Sequence, residues 1–184
     1  MCVRWWRWCI RGCSAGRIPE LALSDGDVYA QRMLREEVVD KVIKRDVLSL
    51  FYIRSPFLTE KLFVYLCINS TEIFNATTAV KEPENASVGT FDSCIKVLEV
   101  SNLIYPTKPM NVESKGVLKG KPKIFIVDAA IRNAVLMIED VLSEETELGV
   151  MVETCVYKQL ITFYQGSSAR LGYFRKARDS QKEG

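Results

Sequence analysis

Apolar positions recur every three or four residues along much of this chain, and the breaks between runs fall at Pro, Gly and acidic clusters. Residues 14–27 read as a loop punctuated by Gly16, Pro19 and Gly26, after which Asp27 can cap a helix from Val28 to Leu50. Leu34, Val38, Val42 and the Val47/Leu50 pair form its inward stripe; Arg32, Arg35, Glu36, Asp40, Lys41, Lys44, Arg45 and Asp46 form a solvated charged face. Ser55-Pro56 starts the next helix, because Ser can cap it and Pro is preorganised for its first position. That helix runs from Phe57 to Asn69 with Leu58, Leu62, Tyr65 and Leu66 facing a core. A short helix over Ala76–Lys81 must end ahead of Pro83, which disfavours helical backbone in the residue before it. Ser87 caps a third helix, to Val100, with Val88, Phe91, Cys94, Ile95 and Leu98 inward.

The period then changes. Leu103–Tyr105 and Lys123–Val127 read as strands, and the polar segment 106–122 between them holds Lys108, Lys115, Lys119 and Lys121 with Gly116 and Gly120. Three short helices followed by a hairpin with a basic, Gly-containing tip is the layout of a winged helix-turn-helix. Asp128 can cap a helix over Ala129–Leu142 that turns Ile131, Val135, Ile138 and Leu142 inward. Past an acidic break at 143–147, a last helix runs from Glu147 to Phe163 with Leu148, Val152, Val156, Leu160 and Phe163 as its stripe. A loop over 165–170, a strand at Leu171–Arg175 and a charged tail from Lys176 complete the pattern. The fold class expected is α+β, mostly helical.

Composition narrows the function more by exclusion than by assertion. With 48% hydrophobic and 26% charged residues among 184, the chain can bury a core. Histidine is absent, which removes Ser-His and Cys-His nucleophile systems, imidazole bases and His-ligated zinc. Six cysteines at 2, 9, 13, 67, 94 and 155 form no CxxC pair; Cys67, Cys94 and Cys155 fall within apolar helical patterns, as buried thiols in a reducing cytoplasm would. The opening MCVRWWRWCIRGC mixes three Trp with three Arg. It lacks the unbroken apolar run of a signal peptide or a membrane span, and a leader foreign to the fold is the expectation.

A net charge of +2 advertises no polyanion partner, but the distribution is uneven. Between Ser87 and Lys123 lie six lysines, Lys96, Lys108, Lys115, Lys119, Lys121 and Lys123, against only Asp92, Glu99 and Glu113. These six are the candidate nucleic-acid contacts, through phosphates. The helix ahead of the wing offers Asp92, Ser93 and Lys96 outward and no Arg to read guanine. Gly116-Val-Leu-Lys-Gly120-Lys121-Pro122 is not a phosphate loop: one residue is missing between the glycines, and Pro stands where Ser or Thr must hold magnesium. Glu153 is the single vestigial catalytic candidate, a carboxylate on a helix that precedes an apolar strand, the order in which restriction-nuclease-like folds begin. Alone it cannot hold magnesium and activate water. No cofactor and no metal are expected.

Five blocks in sequence, YAQRMLREEVVDKVIKRDVLSLF, FLTEKLFVYLCINSTEIFN, KVLEVSNLIY, KGKPKIFIVDAAIRNAVL and LGVMVETCVYKQL, resemble the C-terminal region of prokaryotic AAA+-type P-loop ATPases. That region is a domain of unknown function, and the resemblance covers residues 18–178. It implies a winged helix followed by a part similar to the PD-(D/E)XK nuclease fold, with Glu153 at the position of the family's helix glutamate. Against that pattern the chain looks truncated at both ends: the Walker motifs and the acidic hairpin that would follow YFRKARDSQKEG are missing. The organisation implied is a leader and loop over 1–27, a connecting helix over 28–54, a winged helix over 55–127 and an incomplete nuclease-like part over 128–184. The expected role is non-catalytic: DNA binding or regulation in the cytoplasm. The alternatives are docking on an ATPase module, self-association through the C-terminal strand, or a fragment without activity; no membrane partner is expected.

Overall fold

The computed structural model describes residues 27–47, 56–79, 87–111, 116–138, 140–141, 143–164 and 166–174. The leader, the Ser55 cap, the turn at 82–86, Lys115, Leu142 and the tail from 175 lie outside the described residues. What is described is α+β and mostly helical, with one small antiparallel hairpin.

α1 (Asp27–Arg35) continues as a π-helical run over Glu36–Val47, so the single helix expected here changes its winding partway. The wider i→i+5 turn shifts the inward register. Ile43 is fully buried beside a half-buried Val42, whereas a uniform 3.6-residue period had selected Val42. α2 (Pro56–Ile68) buries Leu58, Leu62, Phe63, Leu66 and Cys67, a face wide enough to meet neighbours on several sides. Residues 71–74 then run beside the later hairpin. Thr71 N–H donates to the Ile124 carbonyl at 2.9 Å and Phe74 N–H to that of Pro122 at 2.8 Å.

α3 is a single turn, Ala76–Ala79. α4 (Val88–Val100) starts where the Ser87 hydroxyl accepts from Thr90 N–H at 3.2 Å. It ends at Ser101, after which Asn102 takes a left-handed conformation that its short amide tolerates. β1 (Ile104–Thr107) pairs antiparallel with β2 (Lys123–Ile126), Ile104 opposite Ile126 and Thr107 opposite Lys123. β1 includes Pro106 and ends at Thr107, two residues past the expected end; Pro106 faces Ile124 on a strand away from the sheet centre, where a missing N–H costs least. β2 is central, with β1 on one side and the Ile73 bridge on the other. Ile104, Ile124 and Ile126 close the core formed by α2, α4 and Ile43.

Asp128 caps α5 (Ala129–Leu136), its carboxylate accepting from Ala130 N–H at 3.0 Å. The helix stops six residues short of the expected Leu142. Met137 adopts a left-handed conformation, and Ile138 N–H turns back to the Asn133 carbonyl at 3.0 Å. Ile138 still packs inward, so its apolar character served a turn and not a helix. α6 (Glu145–Tyr164) buries Met151 and Thr154, with Leu148 and Cys155 half-buried against Ala129 and Val141. Of the stripe expected to face inward, Leu148 does pack against the core, but Val152, Val156, Leu160 and Phe163 are all exposed, Phe163 by 80%. Leu171–Arg175, expected as a strand, forms one parallel bridge, Tyr173 to Pro109, within the described residues. No described helix is long and apolar enough to cross a membrane.

Candidate nucleic-acid interface

Beyond β1 and β2 the hairpin stays paired toward its tip. Leu118 N–H donates to the Pro109 carbonyl at 2.8 Å, and Asn111 N–H to that of Gly116 at 3.0 Å. Gly120 permits this closeness, since a Cβ there would sit 2.7 Å from Pro109 Cγ. Lys108, Lys119 and Lys121 lie along this extension, all exposed, and Lys96 is exposed on α4. None of the four has an ion-pair partner among the described residues.

Lys123 sits differently. Its ammonium pairs with Glu153 of α6 and lies 5.4 Å from the centre of the Phe125 ring, so its charge is already met. The same contact answers for Glu153: the carboxylate is partly exposed and bound to a lysine across the sheet. Among the described residues no three or more Asp, Glu or Cys side chains are grouped so as to hold a metal ion.

α6 is fastened to the hairpin along one line. Tyr157 stacks on Phe125 with ring centres 3.9 Å apart and planes 7° from parallel, and its hydroxyl bonds the Thr107 hydroxyl. Burial pushes the Tyr157 phenol above its ordinary value, the Thr107 hydrogen bond opposes that, and nearby Tyr105 adds to it. The next residue, Lys158, pairs with Asp128, joining α6 to the cap of α5.

One buried charged residue, Arg132, was not singled out by the sequence pattern, whereas Cys67 is buried as expected. Arg132 is almost wholly buried; its Nε donates to the Cys67 carbonyl at 2.9 Å and its Nη1 to Glu147 Oε2 at 2.5 Å. A lone arginine within the apolar run AAIRNAVL was the available signal, because burial on nearly every side of α5 forces such a cation to find acceptors. Burial pushes the Cys67 thiol up to about 12, with Arg132 pulling weakly the other way. The thiol is therefore inert at neutral pH.

No curated protein and no solved structure matches the chain. A family described as Domain of unknown function (DUF8612) matches residues 8–142, most of the helices and the entire hairpin. The chain belongs to that family.

Proposed function

We propose that this chain is a non-catalytic, DNA-binding or regulatory portion of an AAA+-type ATP-binding protein, and that residues 55–127 are a winged helix whose wing meets DNA phosphates. The observation that carries the reading is the group of exposed lysines on the hairpin extension, Lys108, Lys119 and Lys121, without ion-pair partners among the described residues. The order of elements supports it: helix α2, a short edge segment at 71–74 on β2, helices α3 and α4, then the hairpin. In this reading the lysines act as point charges that fix the protein on the duplex, and sequence discrimination is weak because no arginine lies on α4. The part from 128 onward, nuclease-like in the resemblance, serves as a brace: Glu153 holds Lys123 and is not a metal ligand.

Binding of a labelled duplex measured by anisotropy at two salt concentrations tests the proposal. Affinity that falls steeply with salt and depends little on sequence is expected. Salt-independent binding, or none, would leave the second reading, docking on a protein such as an ATPase module. The exposed apolar line Val152, Val156, Leu160 and Phe163 favours that alternative.

A further inference from the structure

Segment 166–174 returns across the hairpin extension, and one residue makes most of the contact. Tyr173 N–H donates to the Lys108 carbonyl at 3.1 Å, and its carbonyl accepts from Met110 N–H at 2.9 Å. Its hydroxyl donates to the Lys121 carbonyl at 2.8 Å. One side chain and its own peptide groups therefore fix the backbone beneath two of the exposed cations, on opposite arms of the hairpin. Gly172 next to it has no room for a side chain. A Cβ there would lie 2.9 Å from the Lys108 carbonyl oxygen and 2.2 Å from Met110 Cγ.

We propose that Tyr173 is a positioning residue for the nucleic-acid surface: it sets Lys108 and Lys121 at a fixed separation so that both reach phosphates of one duplex together. The proposal rests on the nucleic-acid reading above. An extended hairpin arm held only by its partner arm twists and frays, and two lysines on it then sample many separations. A third backbone partner removes that freedom before binding, so less ordering remains to be done when DNA arrives. Tyr173 itself touches no phosphate in this scheme. The loss on removing it should therefore be the loss of a lysine contact and nothing more.

The full chain is tested with a labelled duplex of about 20 base pairs over a series of KCl concentrations, as wild type, Tyr173→Phe, Lys121→Ala and the double variant. Tyr173→Phe removes only the bond to the Lys121 carbonyl. It should weaken binding roughly five- to tenfold near 0.1 M salt and lower the magnitude of the log–log salt slope by about one, as Lys121→Ala does. The double variant should bind no worse than Lys121→Ala alone, because both changes remove one contact. Gly172→Ala reaches the same backbone by a different route and should reproduce the slope change. Hydrogen exchange should quicken at the amides of Met110 and Leu118 in both variants and stay unchanged through α2. Losses that multiply in the double variant, or Tyr173→Phe binding like wild type, overturn the proposal while leaving the nucleic-acid reading intact. A wild-type chain that shows no salt-dependent binding overturns both.

Discussion

Arg132 of α5 and Glu147 of α6 form an ion pair with Nη1 and Oε2 2.5 Å apart, the arginine side chain 3% exposed and the glutamate 23%. The same guanidinium bonds the Cys67 carbonyl near the end of α2, so three helices meet at one cation. Such a pair adds little net stability when intact, since removing both charges from water cancels much of the attraction. Breaking it is another matter.

Replacing Glu147 by Ala leaves a buried guanidinium with one acceptor. The partial exposure of Glu147 lets water replace some of the lost contact, so the expected cost is about 2 kcal/mol, below the range for fully enclosed pairs. Glu147→Gln keeps an acceptor oxygen and should cost about half of that. Urea unfolding of the three proteins checks the order. A Glu147→Ala variant as stable as wild type would show that Arg132 is satisfied by other means.

Cys67 predicts a loss of stability at high pH. Its thiol is held up to about 12 in the folded state against an ordinary 9.0, so between those values the unfolded chain has released a proton that the folded chain retains. Stability contributed by the neutral thiol is complete below pH 9 and declines as pH rises, at about 1.4 kcal/mol per unit within that window. Other groups also titrate there, so the useful measure is the difference between wild type and Cys67→Ala. Unfolding experiments at pH 8.5 and 10.5 should show that the advantage of wild type shrinks by roughly 2 kcal/mol. A constant difference would mean that the buried thiol ionises as readily as an exposed one.

The local features of this fold were open to a reader of the sequence, and the choices between equivalent faces were not. Ser87 and Asp128 cap their helices as expected because a cap depends only on a side chain and the peptide groups two or three residues on. The strands were found because a run such as KIFIV has no helical alternative once Pro122 and Asp128 bound it. α6 shows the limit. Leu148 begins two apolar lines, one through Met151 and Cys155 and one through Val152, Val156, Leu160 and Phe163, and periodicity alone gives the longer line preference. The chain buries the shorter one, Met151 packing against Ala129 and Val141. Likewise the end of α5 at Met137 has no Gly or Pro to announce it, and Arg132 found its partners 15 and 65 residues away, beyond any local pattern. At the candidate site, the lysines were visible as a cluster, but which of them was already paired depended on Glu153, 30 residues from Lys123.

The two lines on α6 respond differently to substitution. Met151→Ala removes buried volume and should cost about 3 kcal/mol. Val156→Lys and Leu160→Lys fall on exposed positions and should each stay within about 0.5 kcal/mol of wild type. Urea midpoints decide between them. A large loss for either lysine variant would mean that the outer line is covered in solution, and sedimentation at several concentrations would then show whether a second copy covers it.

Lys121 and Lys123 lie two residues apart on the same arm of the hairpin, and they should behave as different kinds of residue. Lys121 is exposed, without an ion-pair partner among the described residues, and its carbonyl is held by Tyr173. Lys123 is drawn to Glu153 and lies against the Phe125 ring, so moving its ammonium to a phosphate would leave the glutamate unpaired beside the new polyanion. Repulsion from that carboxylate would offset much of the gain. Lys121→Ala should therefore lower the magnitude of the salt slope by about 0.9, and Lys119→Ala and Lys121→Ala together by about twice that. Lys123→Ala should leave the slope nearly unchanged and cost no more than about 1 kcal/mol in stability, as a partly exposed pair does. Glu153→Gln provides the converse. It frees the Lys123 ammonium at the edge of the same surface, and binding should tighten, with a steeper slope, because one more cation becomes available to the backbone. Equal slopes for Lys121→Ala and Lys123→Ala would show that the pair with Glu153 opens on binding and that the wing uses all of its lysines alike.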